Sequence, residues 1–242
     1  MEPSRIVSCA GRWLLCAALL APAARALAAP LDLTLGFSSL PSSQGFSYVP
    51  SGAHAGVLES AVFSVDGVRL LQDTMGQSNG ATGGSIFYQR LNGITTTESK
   101  RIVVRARCLA VEGSANASLG QGGFIFGFAQ GSVQYAFGLT PTKISFLQPG
   151  GTVLLAATFD NSTSYHDYIF EWTPPSAWRI IRDGLVVGTG SGGFSVAVNR
   201  VFFGDGTGGA NARGEISAFR FSQDVATVTR AGTWARVKSL YR

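Results

Sequence analysis

Two histidines and three cysteines in 242 residues leave little material for a metal centre built on nitrogen and sulfur. His54 and His166 stand far apart with one further cysteine between them, Cys108, so no zinc-ligand spacing exists. Charged residues are scarce, at 14%, and no window of helical period stands out between residues 29 and 222, which excludes a coiled coil. The apolar stretch from Trp13 to Ala21 is about 9 residues long, well short of the ~20 that span a bilayer. No membrane span is expected.

Charge of one sign is also missing from the middle of the chain. Of 19 bases and 14 acids, residues 1–28 hold three bases and one acid, and residues 223–242 hold four bases and one acid. Twelve of each remain, so the span 29–222 is formally neutral and the net charge of +5 comes from the two ends. The basic footprint of a nucleic-acid binder is absent, and nucleic acid is dropped as a partner.

What is present begins with an address. Arg5 and Arg12 precede the apolar stretch, and Ala26 and Ala28 flank Leu27, the charged, apolar, small-x-small order of a secretory signal peptide with cleavage expected after Ala28. Cys16 follows Leu15 rather than the small residue a lipoprotein signal would place there. Cleavage would remove Cys9 and Cys16 and leave Cys108 without an intramolecular partner. Around Cys108 the even positions, Ile102, Val104, Ala106 and Ala110, are small or apolar, and period-two alternation puts the thiol on the buried face of a strand.

A hydrophobic content of 45% with 16 Phe and 31 Gly fits one folded domain. From Leu31 onward, short apolar or alternating runs are broken by clusters of Gly, Ser, Asn, Thr and Pro, the punctuation of an all-β sandwich. Strands are expected at 31–35, 61–65, 68–73, 85–90, 100–111, 123–129, 133–139, 143–147, 153–159, 166–173, 178–182, 185–189, 199–203 and 215–222. Long loops are expected at 77–84, 112–122 and 204–214. Asp183-Gly184, between two β-rich runs, predicts a two-residue type I′ hairpin. Residues 223–242 are basic, lack alternation and read as a flexible tail.

The run His166-Asp167-Tyr168-Ile169-Phe170-Glu171-Trp172-Thr173, a Pro-containing turn, Trp178–Arg182, Asp183-Gly184 and Leu185–Gly188 resembles the strand pair of concanavalin A-like lectin/glucanase (laminin-G-like) jelly rolls. Val201–Gly206 and Glu215–Phe221 resemble the strands that close those domains, so the likeness covers about residues 160–222. It implies a two-sheet antiparallel jelly-roll sandwich over 29–222 with one concave face, on which relatives bind or cleave polysaccharide. It also resembles bacterial exported proteins of unassigned role.

Cleavage of a glycosidic bond needs two carboxylates about 5–9 Å apart, and the Glu-x-Asp-x-x-Glu string of related glucanases does not occur. Asp167 and Glu171 share a strand face but would stand about 13 Å apart at 3.3 Å per residue. No Gly-x-Ser-x-Gly elbow frames a nucleophile. Gly204–Gly209 is glycine-rich but follows no strand-to-helix crossover, so it reads as a turn. Calcium at Asp205 with Asn211 and loop carbonyls is a subsidiary expectation; no other cofactor is expected.

Sugar binding needs aromatic faces and converging polar groups, and Tyr165, His166, Trp172, Trp178, Asp205, Asn211 and Arg213 could supply them near one end. The two tryptophans equally suit the core. Arg105, with Arg101 and Arg107, lies on the strand face opposite Cys108; on a concave sheet this ladder would favour an acidic glycan, and on a solvated face it is polar covering. Asn116 and Asn161 open glycosylation sequons. The sequence thus points to an exported, non-catalytic sandwich that binds polysaccharide or a glycoconjugate outside the cell. A glycan-cleaving enzyme with an atypical site and a structural or adhesive surface protein are the other readings.

Overall fold

The structure is a computed structural model that describes residues 31–52, 54–77, 84–91, 93–113, 123–147, 153–196, 198–206 and 210–224. Its strands in chain order are β1 (Leu31–Thr34), β2 (Ser47–Gly52), β3 (Phe63–Val65), β4 (Leu70–Asp73), β5 (Gly84–Leu91), β6 (Lys100–Gly113), β7 (Ile125–Gln130), β8 (Val133–Leu139), β9 (Lys143–Leu147), β10 (Val153–Thr158), β11 (His166–Thr173), β12 (Ala177–Arg182), β13 (Leu185–Ser191), β14 (Phe194–Ser195), β15 (Arg200–Asp205) and β16 (Ala210–Gln223). A 3-10 turn (Pro41–Gln44) and a one-turn helix α1 (Glu59–Val62) are the remaining elements. No described helix is long and apolar enough to cross a membrane.

All pairings are antiparallel and form two sheets. The first runs β13-β12-β11-β6-β16-β4-β3, with β1 also paired to β16; the second runs β10-β9-β8-β7-β15-β5-β2, with β14 paired to β8. The 14-residue strands β6 and β16 form the spine of the first sheet. Alternation decides which side of each strand is dry. Ile102, Val104, Ala106 and Cys108 of β6 face Phe126, Phe128, Phe137 and Phe203 of the second sheet through one core cluster. Each buried Phe contributes about 2–3 kcal/mol by leaving water. Aromatic contacts tie the layers together, with Phe126 on Phe137 at 5.4 Å and Trp178 stacked on Phe146 at 4.0 Å.

The expected strands coincide with the observed ones at 133–139, 143–147 and 166–173. The Asp183-Gly184 turn has φ of 49° and 82°, the pair of positive angles a type I′ turn requires. Three local expectations are corrected. The strand expected from Ala61 starts at Phe63, because residues 59–62 form a helical turn whose Glu59 carboxylate accepts bonds from Tyr88 (2.7 Å) and Ser42 (3.0 Å). The loop expected over 204–214 is shorter, since β15 runs to Asp205 and β16 starts at Ala210. Strand β2 was not expected; it contains Pro50 and sits at the outer edge of the second sheet, where a missing N–H is tolerated. The signal segment 1–28 lies outside the described residues. So does most of the basic tail, although Gln223 pairs with Lys100 and the Asp224 amide donates to Ser99.

Candidate functional site

Each sequence-selected residue has a definite place. Trp172 and Trp178 are 1% and 4% exposed and lie between the sheets, so neither ring offers a face to a sugar. Gly190 of β13 is what lets the Trp178 ring lie flat, because a Cβ there would stand 2.4 Å from Cζ2. Asp205 and Asn211 are buried; Asp205 accepts from the Thr74 hydroxyl at 2.8 Å, and Asn211 donates to Glu112 at 3.1 Å. Both side chains expected as calcium ligands therefore serve hydrogen bonds of the fold. Arg213 is exposed and donates to Asp73 at 2.8 Å. Cys108 is buried, and burial pushes its thiol well above the ordinary cysteine value. Asn161 is fully buried and donates to the carbonyls of Thr140 and Lys143, so its sequon is closed to modification.

The arginine ladder is on the outer face of the first sheet, and its charge is spent. Arg101 meets Glu171 (3.4 Å), Arg105 meets Asp167 (3.3 Å) and Arg107 meets Glu215 (2.9 Å). Glu215 also accepts from Arg69 at 2.9 Å and from the Tyr165 hydroxyl. Burial alone would raise the Glu215 carboxyl, but the bonds from Arg107 and Tyr165 and the charges of both arginines hold it below the usual range. This face is polar covering rather than an acid-glycan cradle. A shallow groove of about 680 Å³ runs over β11, β12 and β13, where Glu171 and Arg179 are themselves paired and Thr173, Thr189 and Ser191 supply hydroxyls.

His166 belongs to a chain of contacts that no sequence motif announces. Ser164 Oγ contacts His166 Nε2 at 3.0 Å, and His166 Nδ1 contacts Asp183 Oδ2 at 2.8 Å. The Asp183 carboxylate also accepts from the Asp167 amide at 3.0 Å and meets Arg182 at 3.3 Å. The type I′ turn places Asp183 beside the start of β11, which is why distant sequence positions converge.

The outer face of the second sheet carries residues that sequence reasoning missed. In β7 and β8 the aromatic side chains Phe126, Phe128, Tyr135 and Phe137 point inward while Gly127, Ala129, Ala136 and Gly138 point outward. These short residues let long side chains of neighbouring β15 lie down across the sheet. Phe202 covers Gly127, where a Cβ would meet its ring at 2.7 Å. Phe202 packs edge-on against Phe87 at 6.2 Å, with Val49, Ile125 and Ala136 completing a second cluster separate from the main core. On this support lies Arg200, its guanidinium 4.9 Å from the Phe87 ring and 4.8 Å from the Phe202 ring. It reaches over Ala129 and donates to Gln134 of β8 (2.9 Å) and Gln89 of β5 (3.2 Å). Arg200 Nε is buried without a partner, and burial pushes the group below the usual guanidinium value. The alternation of large and small residues over 125–139, with Arg200 and Phe202 on one strand face, was the signal in the sequence.

Among solved structures, the catalytic domain of an endo-1,3-β-glucanase (laminarinase) from Thermotoga petrophila superposes with a TM-score of 0.50 at 12% identity, over 79% of this chain and 96% of that one. The fold is the concanavalin A-like jelly roll. A prokaryotic β-1,3-1,4-glucanase (lichenase) derived from a mouse hindgut metagenome matches at 0.48 and 14% identity over 80% and 99% of the two chains. The metal-free carbohydrate recognition domain of Emp46p matches at 0.47 and 10% over 76% and 91%. No protein-family model and no curated protein matches the chain. At these identities the likeness of this jelly roll to its neighbours concerns the fold.

Proposed function

We propose that the chain is an exported concanavalin A-like sandwich that binds polysaccharide on the outer face of its second sheet without cleaving the glycosidic bond. The observation that carries this reading is the row Gln134–Arg200–Gln89, three hydrogen-bonding side chains spread across β8, β15 and β5 on a rigid aromatic support. Such a row suits an extended chain of hydroxyl-bearing units crossing the strands. The fold shared with a laminarinase supports a glycan as ligand, and the sequence of residues 1–28 supports export. Non-catalytic binding is supported by the outward positions of the described strands β2, β5, β7, β8, β9 and β15, none of which holds Asp or Glu, so the paired carboxylates of glycosidic hydrolysis are lacking there. A polysaccharide panel tests the reading by affinity electrophoresis. Retardation by one polymer, weakened in Gln134→Ala with no change in melting temperature, is the expected result; free migration through the whole panel overturns it.

A second reading, hydrolysis of an accessible acyl ester, is favoured by the chain Ser164–His166–Asp183. Its order of contacts is the one in which an imidazole takes a hydroxyl proton while a carboxylate holds the ring. Labelling by a fluorophosphonate, lost in Ser164→Ala, supports this reading, and absence of labelling removes it.

A further inference from the structure

Resting on the polysaccharide-binding reading, we infer that the ligand is an acidic glycan, and that Arg200 takes the carboxylate or sulfate of its repeating unit. The contrast between the two outer faces carries the inference. Ten arginines are described, and the eight belonging to the first sheet and its turns each contact a carboxylate. Arg90 and Arg200, both on the second sheet, contact no carboxylate among the described residues. Arg90 has inward parity and sits beside Gly45 at the end of the sandwich. Of the ten described arginines, Arg200 is the one on the outer face of the second sheet, half-buried, with two neutral glutamines as its hydrogen-bond partners.

A guanidinium keeps its charge in any protein setting, and a partly desolvated charge without a counter-ion costs free energy that an arriving anion relieves. The neighbours are arranged for the same sign of ligand. Gln89 and Gln134 each turn their carbonyl oxygen to Arg200, so one acceptor lone pair on each is taken up and their N–H groups are the donors that remain for a ligand. The outward positions that flank them on β7 and β8 are Ile125, Gly127, Ala129, Ala136 and Gly138, which bring no acceptor side chain. A planar fork that rests on two rings and donates to two glutamines is pre-ordered, so little side-chain entropy is lost when an anion docks. A neutral glucan would leave this charge uncompensated, whereas a uronate or sulfated sugar would pair it.

The test is affinity electrophoresis of the full-length protein in gels containing sodium polygalacturonate, dextran sulfate or neutral dextran. Binding to at least one acidic polymer at least tenfold tighter than to dextran is expected, and the carboxylate and sulfate arms show which anion is preferred. Arg200→Gln should lose at least tenfold in that affinity. Arg200→Lys, which keeps the charge and loses the fork, should fall in between with the wild-type melting temperature. The quadruple variant Arg230→Gln, Arg236→Gln, Lys238→Gln, Arg242→Gln should keep the preference. Acid preference that survives in Arg200→Gln, or that disappears in the quadruple variant, overturns the assignment to Arg200. Equal retardation by dextran and the acidic polymers overturns the inference and leaves the polysaccharide-binding reading standing. No retardation by any polymer overturns both.

Discussion

Replacing Lys100 by Met isolates an unusual buried charge. Lys100 is 1% exposed, on the inner row of β6 with Ile102 and Val104. Its ammonium donates to the Glu98 carbonyl at 2.8 Å and lies 4.6 Å from the Trp172 ring and 5.8 Å from that of Phe128. Burial pulls its titration down from 10.5 to about 8, with the Glu98 charge acting in the opposite direction. Between those two values the unfolded chain holds a proton that the folded chain has released, so stability rises with pH across the window. The full difference is worth about 3 kcal/mol at about 1.4 kcal/mol per tenfold change, and about 2 kcal/mol of it falls between pH 7 and pH 10. The rings lower the cost of the charged form, which trims that figure. Urea unfolding followed by tryptophan fluorescence, at both pH values, gives the difference between wild type and Lys100→Met. That difference should shift in favour of wild type by about 2 kcal/mol on going to pH 10. A difference that stays flat with pH refutes the reasoning, since other titrating groups are common to both proteins.

Gly190→Ala should lower stability by about 2–3 kcal/mol, read as a drop in melting temperature, because its Cβ would collide with a Trp178 ring pinned against Phe146. Thr74→Val removes the hydroxyl that donates to Asp205 and accepts from the Ala212 amide, and should cost about 1–3 kcal/mol in urea unfolding. Glu215, held below its unfolded value, contributes stability that is present above about pH 4.5 and is lost as pH falls through the folded value. Acid titration should therefore flatten in Glu215→Gln relative to wild type. The Cys108 thiol should resist a disulfide-exchange reagent in the native protein and react in urea.

The sandwich was legible because its strands obey period two over long stretches: β6 alternates so regularly that Cys108 and the arginine row separate onto opposite faces. The same parity places Lys100 on the inner row, a consequence that charge alone would have argued against. The candidate site was less legible. Tryptophans and loop polar groups drew attention as sugar ligands, yet Trp172 and Trp178 fill the interlayer space that their size best suits. The second sheet's outer face announces itself through what is small, Gly127, Ala129, Ala136 and Gly138, and period-two reading aimed at large residues passes over these. The Ser164–His166–Asp183 contacts depend on a turn that folds Asp183 back beside β11, and no spacing rule along the chain expresses that proximity.

The two faces also divide the electrostatic work. Ion pairs over the first sheet cancel locally, and exposed pairs of this kind are worth little in stability; their effect is to leave that face without a net field. A polyanion approaching the folded domain therefore meets unbalanced charge on the second sheet and in the basic stretch after residue 224. Salt separates these two attractions. Bases in a solvated tail, which is how the sequence of residues 223–242 reads, would act through a field screened within about 8 Å at physiological ionic strength, so binding through Arg230, Arg236, Lys238 and Arg242 should fall steeply as salt is added. Binding through Arg200, a half-buried group resting on two rings, is screened much less. A shallow salt dependence for wild type, turning steep in Arg200→Gln as the residual tail attraction takes over, is the outcome this division of charge requires.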